Sequence, residues 1–348
     1  MSNDRRLSAP GRLAAGDDVA AVATAGLPDE PLAQYAARYG LRPSAARPTV
    51  PSYLRQLWRR RSFILAFATA RNIAMYTEAR LGQLWQVLTP LLNAAVYYLI
   101  FGIILDTSRG VPNFLAFLIT GIFIFNFTQR AFITTSRVMP DSLPLIRALP
   151  FPRASLPIGY VLIELEQLVM SMLVLTVIVL ASGEPLTWHW LLAIPALALQ
   201  AVFNIGMGLS LARLGAGADD FSQLLPFLVR TWLYASGVMF SIQTISSLRH
   251  HPTITYLLQV NPAAVYIGLV RNSILQSQRI GWPGSKPYSA GNCALYHTGK
   301  KAYLEYSAYC HGVVPMNGLW LWGIGWAIVA LVVGFVFFWQ AETRYGRG

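Results

Sequence analysis

Few side chains in this chain are placed to do chemistry. Asp219 and Asp220 stand side by side, and neighbouring carboxylates are what a divalent ion bridging to a nucleotide-sugar phosphate would require. The polar segment that carries them is only about ten residues long, too short to build a pocket for a nucleotide donor. Asp220 with Gln223 three positions on also has the spacing of a capping box, which gives that aspartate a structural task. Cys293 and Cys310 are the two cysteines. His297 and His311 lie close by, so zinc is conceivable, but the spacing is unlike the common finger patterns. A disulfide is favoured, and closing a loop of about 18 residues would contribute roughly 3 kcal/mol. Glu164, Glu166 and Arg230 fall inside apolar runs. Ionised groups there either pair with one another or line a watery cavity. No G-x-x-x-x-G-K-[ST] phosphate loop is present; Gly299-Lys300 lacks the upstream glycine. The expectation is no catalytic residue, no metal site and no cofactor held by this chain.

The elements that carry these groups are apolar. Leu81 to Leu105 runs 25 residues without Asp, Glu, Lys, Arg or His. About 20 apolar residues span the hydrocarbon layer, so this run is a transmembrane helix candidate. Residues 1 to 80 hold 12 arginines and no lysine, an excess that stays cytoplasmic. With 55% apolar residues, 12% charged residues and a mean hydropathy of +0.46, the whole reads as an integral membrane protein. The net charge of +12 does not imply nucleic acid, because the arginines sit in the tail and at helix ends rather than along one aromatic-interleaved face.

In chain order, residues 1–50 are a Pro- and Arg-rich tail expected to be disordered. Residues 51–80 read as an amphipathic interface helix with Arg59, Arg60 and Arg61 towards lipid phosphate. Spans are expected at about 84–105, 111–128, 156–182, 188–211, 221–243 and 319–340, with both termini cytoplasmic and an extracellular region at 246–317. These make a membrane domain over 81–345. Within the outer region, Asn261-Pro262 signals a helix start. The ~13 residues that follow are too few to cross, so they should form a re-entrant or gate helix. On the cytoplasmic side, Pro140 and Pro150 bracket a short amphipathic element bearing Asp141, Leu143, Leu145, Ile146, Arg147 and Leu149, suited to docking in a partner's groove.

These residues resemble the permease subunits of type-2 ABC exporters of polysaccharide, teichoic acid or galactan. The resemblance is carried by ARNIAMYTEARLGQLWQVLTPLL with YYLIFGIIL, by LIRALPFPRASLP and by NPAAVYIGLVRNSIL, in order over residues 53 to 342. Two features depart from it: Ala218-Asp219 stands where Arg-Asp is common, and the outer insertion is long. The resemblance implies an all-α homodimer in the plasma (inner) membrane, joined to two copies of an ABC ATPase that bind ATP and Mg. It implies outward movement of a polyprenyl-diphosphate-linked cell-envelope glycan for wall or O-antigen biogenesis. An exporter of a drug or lipid is the alternative; a membrane-embedded glycosyltransferase is a further one. On this reading Tyr97, Tyr98, Phe123, Phe125, Trp232 and Tyr234 are candidate linings of a sugar path, because sugar faces stack on aromatic rings. Arg71 and Arg80 are candidates for the lipid diphosphate, and Asp141 to Arg147 for ATPase coupling.

Overall fold

The structure, a computed structural model, describes residues 49–77, 80–104, 113–149, 151–240, 242, 251–275, 314 and 316–342. All regular structure among them is helical: α1 Val50–Arg59, α2 Arg61–Thr77, α3 Trp85–Tyr97, α4 Phe114–Asp141, α5 Leu143–Ala148, α6 Ser155–Ala181, α7 Ala193–Gly217, α8 Asp219–Ala235, α9 Pro252–Val260, α10 Pro262–Ile274 and α11 Met316–Gln340. A short 3-10 turn precedes α3 and another precedes α7, while Tyr98–Ile104 prolongs α3 as a π-helix.

Five helical segments are long and apolar enough to cross a membrane: Trp85–Ile104, α4, α6, Trp188–Gly217 and α11. A sixth crossing requires counting α9 and α10 together, and these meet at 78°. Three expectations therefore change. The second span does not stop near 128; α4 continues to Asp141, about 42 Å at 1.5 Å per residue, and projects beyond a ~30 Å hydrocarbon layer. The expected fifth span, α8, ends at Ala235 rather than near 243; it starts beside Ser136 of α4, and the turn after it reaches the Phe117–Gly121 end of that helix, so 17 residues carry the chain along most of α4. The outer helix does appear as α10, with the Asn261 side chain accepting from the Ala263 N–H at 3.2 Å, but α9 before it was not anticipated.

α4 is the axis of the bundle. From Ala116 to Phe125 every residue is buried, packed by α6, α7, α8 and α10. α7 and α11 run parallel in close register. Gly206 faces the Ala330 backbone and Gly334 faces Gly206, so a methyl group on either glycine would overlap the other helix's main chain. Small residues at a crossing let two backbones approach, the usual source of helix adhesion in lipid. α2 lies along the first half of α6, also parallel: Phe67 meets Gly159 and Tyr160, and Thr69 and Asn72 reach Glu166.

Candidate functional site

The accessible side of α4 is polar. Asn126, Arg130 and Thr134 are half-buried and Arg137 is exposed; their spacing of four, four and three places them on one face. Across from them α6 presents Glu164, Gln167 and Ser171, and with Pro90 of α3 these enclose a small cavity that Asn126 and Arg130 also line. Arg130 Nη1 donates to Gln167 Oε1 at 2.7 Å. Glu164 is buried, and its Oε2 has no hydrogen-bond partner. Tyr76 of α2 borders the same cluster: burial pushes its phenol up, the Arg130 charge opposes, and Glu164 adds to the rise. A face with cation, carboxyl and amides inside a helix of spanning length meets water or a polar cargo rather than lipid.

Of the two readings of the intramembrane charges, pairing with one another does not occur, whereas Glu164 lines the small cavity. Glu166 accepts from the Thr69 hydroxyl and the Asn72 amide, each at 2.9 Å. Arg230 is exposed on α8, which packs on α4 and α7. Helix phase overrides equal depth here, since common height does not make two side chains face each other. The capping box is corrected too: α8 begins at Asp219 after Ala218, with no side-chain cap. Asp220 stands exposed in the first turn, where a negative charge suits the helix N-terminus without a cap bond.

The aromatic candidates divide. Phe123 and Phe125 are 2% and 1% exposed and belong to the chain's own core, although Phe123 also borders the small cavity lined by Asn126, Arg130 and Glu164. Their position on the all-round buried part of α4 is the reason. Trp232 stacks on Phe132 with centroids 5.8 Å apart and donates Nε1–H to Asn261 at 2.8 Å. Tyr97 is half-buried against Phe101, whereas Tyr98 and Tyr234 are exposed. Arg71 and Arg80 are both exposed. Cys293 and Cys310 lie outside the described residues, and among those described no His, Cys, Asp and Glu cluster could hold a metal.

The docking element forms the short helix α5. Asp141, Pro144, Arg147, Ala148 and Leu149 are exposed, and Leu143 and Leu145 half-buried. Ile146 is not free for a partner: it is buried in a cluster with Tyr53, Met139 and Phe338. Next to that cluster lies a junction that pattern reading missed. The Tyr53 hydroxyl donates to Glu342 Oε2 at 2.9 Å and accepts from the Ala154 N–H at 3.1 Å. The Arg153 N–H reaches Glu342 Oε1 at 3.2 Å, and Arg153 Nη1 donates to the Glu342 carbonyl. Helix α1, the segment after α5 and the end of α11 are thus fastened at one point.

At the opposite end of α4, Arg271 of α10 is buried. It donates to the carbonyls of Phe117, Gly237 and Val238 at 3.1, 2.8 and 2.6 Å, with its guanidinium carbon 3.4 Å from the Phe117 ring centroid. This side chain locks α10 to α4 and to the turn that follows α8. An arginine in an otherwise apolar helix was its sequence signal.

Comparison with known proteins fits this architecture. Residues 63–275, more than half of the chain, match the ABC-2 type transporter family. The chain belongs to that family. It is therefore the membrane component of a transporter, a multi-pass protein of the plasma membrane. Among curated relatives, an O-antigen export system permease protein RfbA of Myxococcus xanthus is 26% identical over 192 residues, 55% of this chain and 73% of that protein. A protein of the same name from Klebsiella pneumoniae is 24% identical over 206 residues, covering 59% and 77%. Both alignments exceed half of the chain, as the family match does.

Proposed function

We propose that this chain is the permease half of an ATP-driven exporter that moves a lipid-linked cell-envelope glycan outwards. The observation that carries the reading is the face of Asn126, Arg130, Thr134 and Arg137 on α4, backed by Glu164 and Gln167. Hydroxyls need both donors and acceptors, and that mixture supplies them in a layer where lipid offers neither. The permeases with similar sequences are named for O-antigen export, which supports a glycan over a drug as cargo. Teichoic acid or galactan would satisfy the same chemistry.

Two copies of the chain form the path. Exposed Leu92 and Val96 of α3, with Leu99 and Ile103 on its π-helical continuation, support this as an apolar surface for a second copy. Both termini are cytoplasmic, α1 rests at the inner headgroups while α2 runs up beside α6, Arg71 and Arg80 meet the diphosphate, and a separate ATPase binds ATP and Mg. α5 docks in that ATPase through Arg147, Ala148 and Leu149, since Ile146 is committed to the core. Arg147→Glu with Leu149→Asp is predicted to leave the permease in the membrane while ATPase co-purification falls about tenfold or more, as a charge reversal in a docking groove would cause. Surface glycan, read by lectin or antibody staining, should fall with it. Undiminished co-purification and staining would refute the docking role.

A further inference from the structure

A second cavity lies apart from the polar face of α4. It is a slot of about 440 Å³ between α7, α8 and α11, closed at one end by Pro262 of α10. Phe203, Leu225, Trp232, Trp326, Val329 and Val333 form its walls. The two indoles have their polar edges turned elsewhere: Trp232 Nε1–H donates to Asn261 Oδ1 and Trp326 Nε1–H to the Val260 carbonyl, each at 2.8 Å. Ser210, the polar lining residue, returns its hydroxyl to the Gly206 carbonyl. The slot therefore offers apolar surface only, held in place by bonds to the bend between α9 and α10. It runs from Phe203 to Leu211, about 12 Å along α7.

Its surroundings name the occupant. α7 and α11 are both spanning helices, so the medium at the slot is hydrocarbon. Phe132 on its wall follows Arg130 by two residues, about 200° around α4, so slot and polar face lie on opposite sides of that helix. One turn beyond Ser210, Arg213 lies over the Phe337 ring with its guanidinium carbon 3.9 Å from the centroid. Arg213 Nη1 donates to the Phe337 carbonyl and, at 3.5 Å, to Gln340 Oε1. Among the described residues no carboxylate forms an ion pair with it. An apolar slot with a cation about one turn past its Ser210 end suits a lipid tail with its phosphate.

We propose that this slot binds an acyl chain of an anionic glycerophospholipid, with its phosphate at Arg213, as a resident lipid distinct from the transported cargo. A diphosphate-linked carrier would bring two phosphates to a single guanidinium, whereas a glycerophospholipid brings one. The proposal does not depend on which cargo is exported.

The test uses the full chain in phosphatidylcholine vesicles doped with phosphatidylglycerol that carries a diazirine on its acyl chain. After illumination, label is expected on residues 203–211 and 326–333. Val329→Trp, which fills the slot, should remove most of that label, and Met207→Phe serves where the tryptophan variant does not assemble. Leu173→Trp, on the exposed face of α6, should leave it unchanged. Arg213→Gln should lower labelling by phosphatidylglycerol about fivefold and leave a phosphatidylcholine probe unaffected. Equal labelling of wild type and both variants overturns the proposal, as does cross-linking of the slot residues to a second copy of the chain. A prenyl-diphosphate probe that labels the slot more strongly, with the same dependence on Arg213, assigns it to the carrier and also overturns the proposal.

Discussion

Glu342 shows how one side chain near a helix end can tie distant parts of this chain together. It joins Tyr53, from the first helix, to Arg153, from the segment after α5. Burial pushes its carboxyl above the ordinary glutamate range, while the Arg153 N–H, the Tyr53 hydroxyl and the Arg153 charge pull the other way. The folded junction thus holds its proton more tightly than the unfolded chain. Its contribution to stability is complete below the ordinary glutamate value and is lost as pH rises through the raised one. The thermal midpoint of the purified protein should accordingly fall as pH climbs through that window, and Glu342→Gln should flatten the dependence. The same slope in both proteins would contradict this assignment. None of the junction was legible beforehand, because its partners are 189 and 289 residues apart in sequence and no local pattern signals such a meeting. Arg130 was legible only as loop charge, because hydropathy ends the second span near 128 while the helix itself runs on to Asp141.

At the scale of elements, apolar runs located most helices, and the cap at Asn261 located the start of α10 correctly. Hydropathy could not see that α4 outlasts the bilayer, because Arg130 and Arg137 interrupt the run while helix continues through them. Nor could it tell inward from outward faces on α4, where residues 116–125 are buried all round and periodicity disappears. The α7–α11 crossing is a joint of direct backbone approach. Gly206→Val would drive two methyl groups into the Ala330 main chain, and neither backbone can yield without moving its helix. We predict a loss of about 3 kcal/mol or more, read as collapse of the monodisperse peak in detergent, with Gly325→Val harmless because nothing lies within 4 Å of a β-carbon there. A monodisperse, thermally unchanged Gly206→Val protein would show that the two helices do not meet as described.

For the molecule as a whole, polar groups are segregated to three places within a bundle otherwise made for lipid. Arg271 fastens α10 to α4 and to the turn after α8, the Tyr53–Glu342–Arg153 junction fastens α1 and the segment after α5, and between these ends α4 carries its polar face past Glu164 and Gln167. Ile146 of α5 packs in one cluster with Val138 and Met139 of α4, so on the proposed function a partner acting on α5 would act on α4 as well. The most direct measurement reconstitutes the full chain with its ATPase in inverted vesicles supplied with a polyprenyl-diphosphate-linked glycan and follows protection of the glycan in the lumen. Protection should require ATP and disappear in Arg130→Ala and Glu164→Gln, while ATPase binding and hydrolysis persist. Glycan that stays accessible in wild-type vesicles despite a bound, hydrolysing ATPase, or protection undiminished in both variants, would contradict the account.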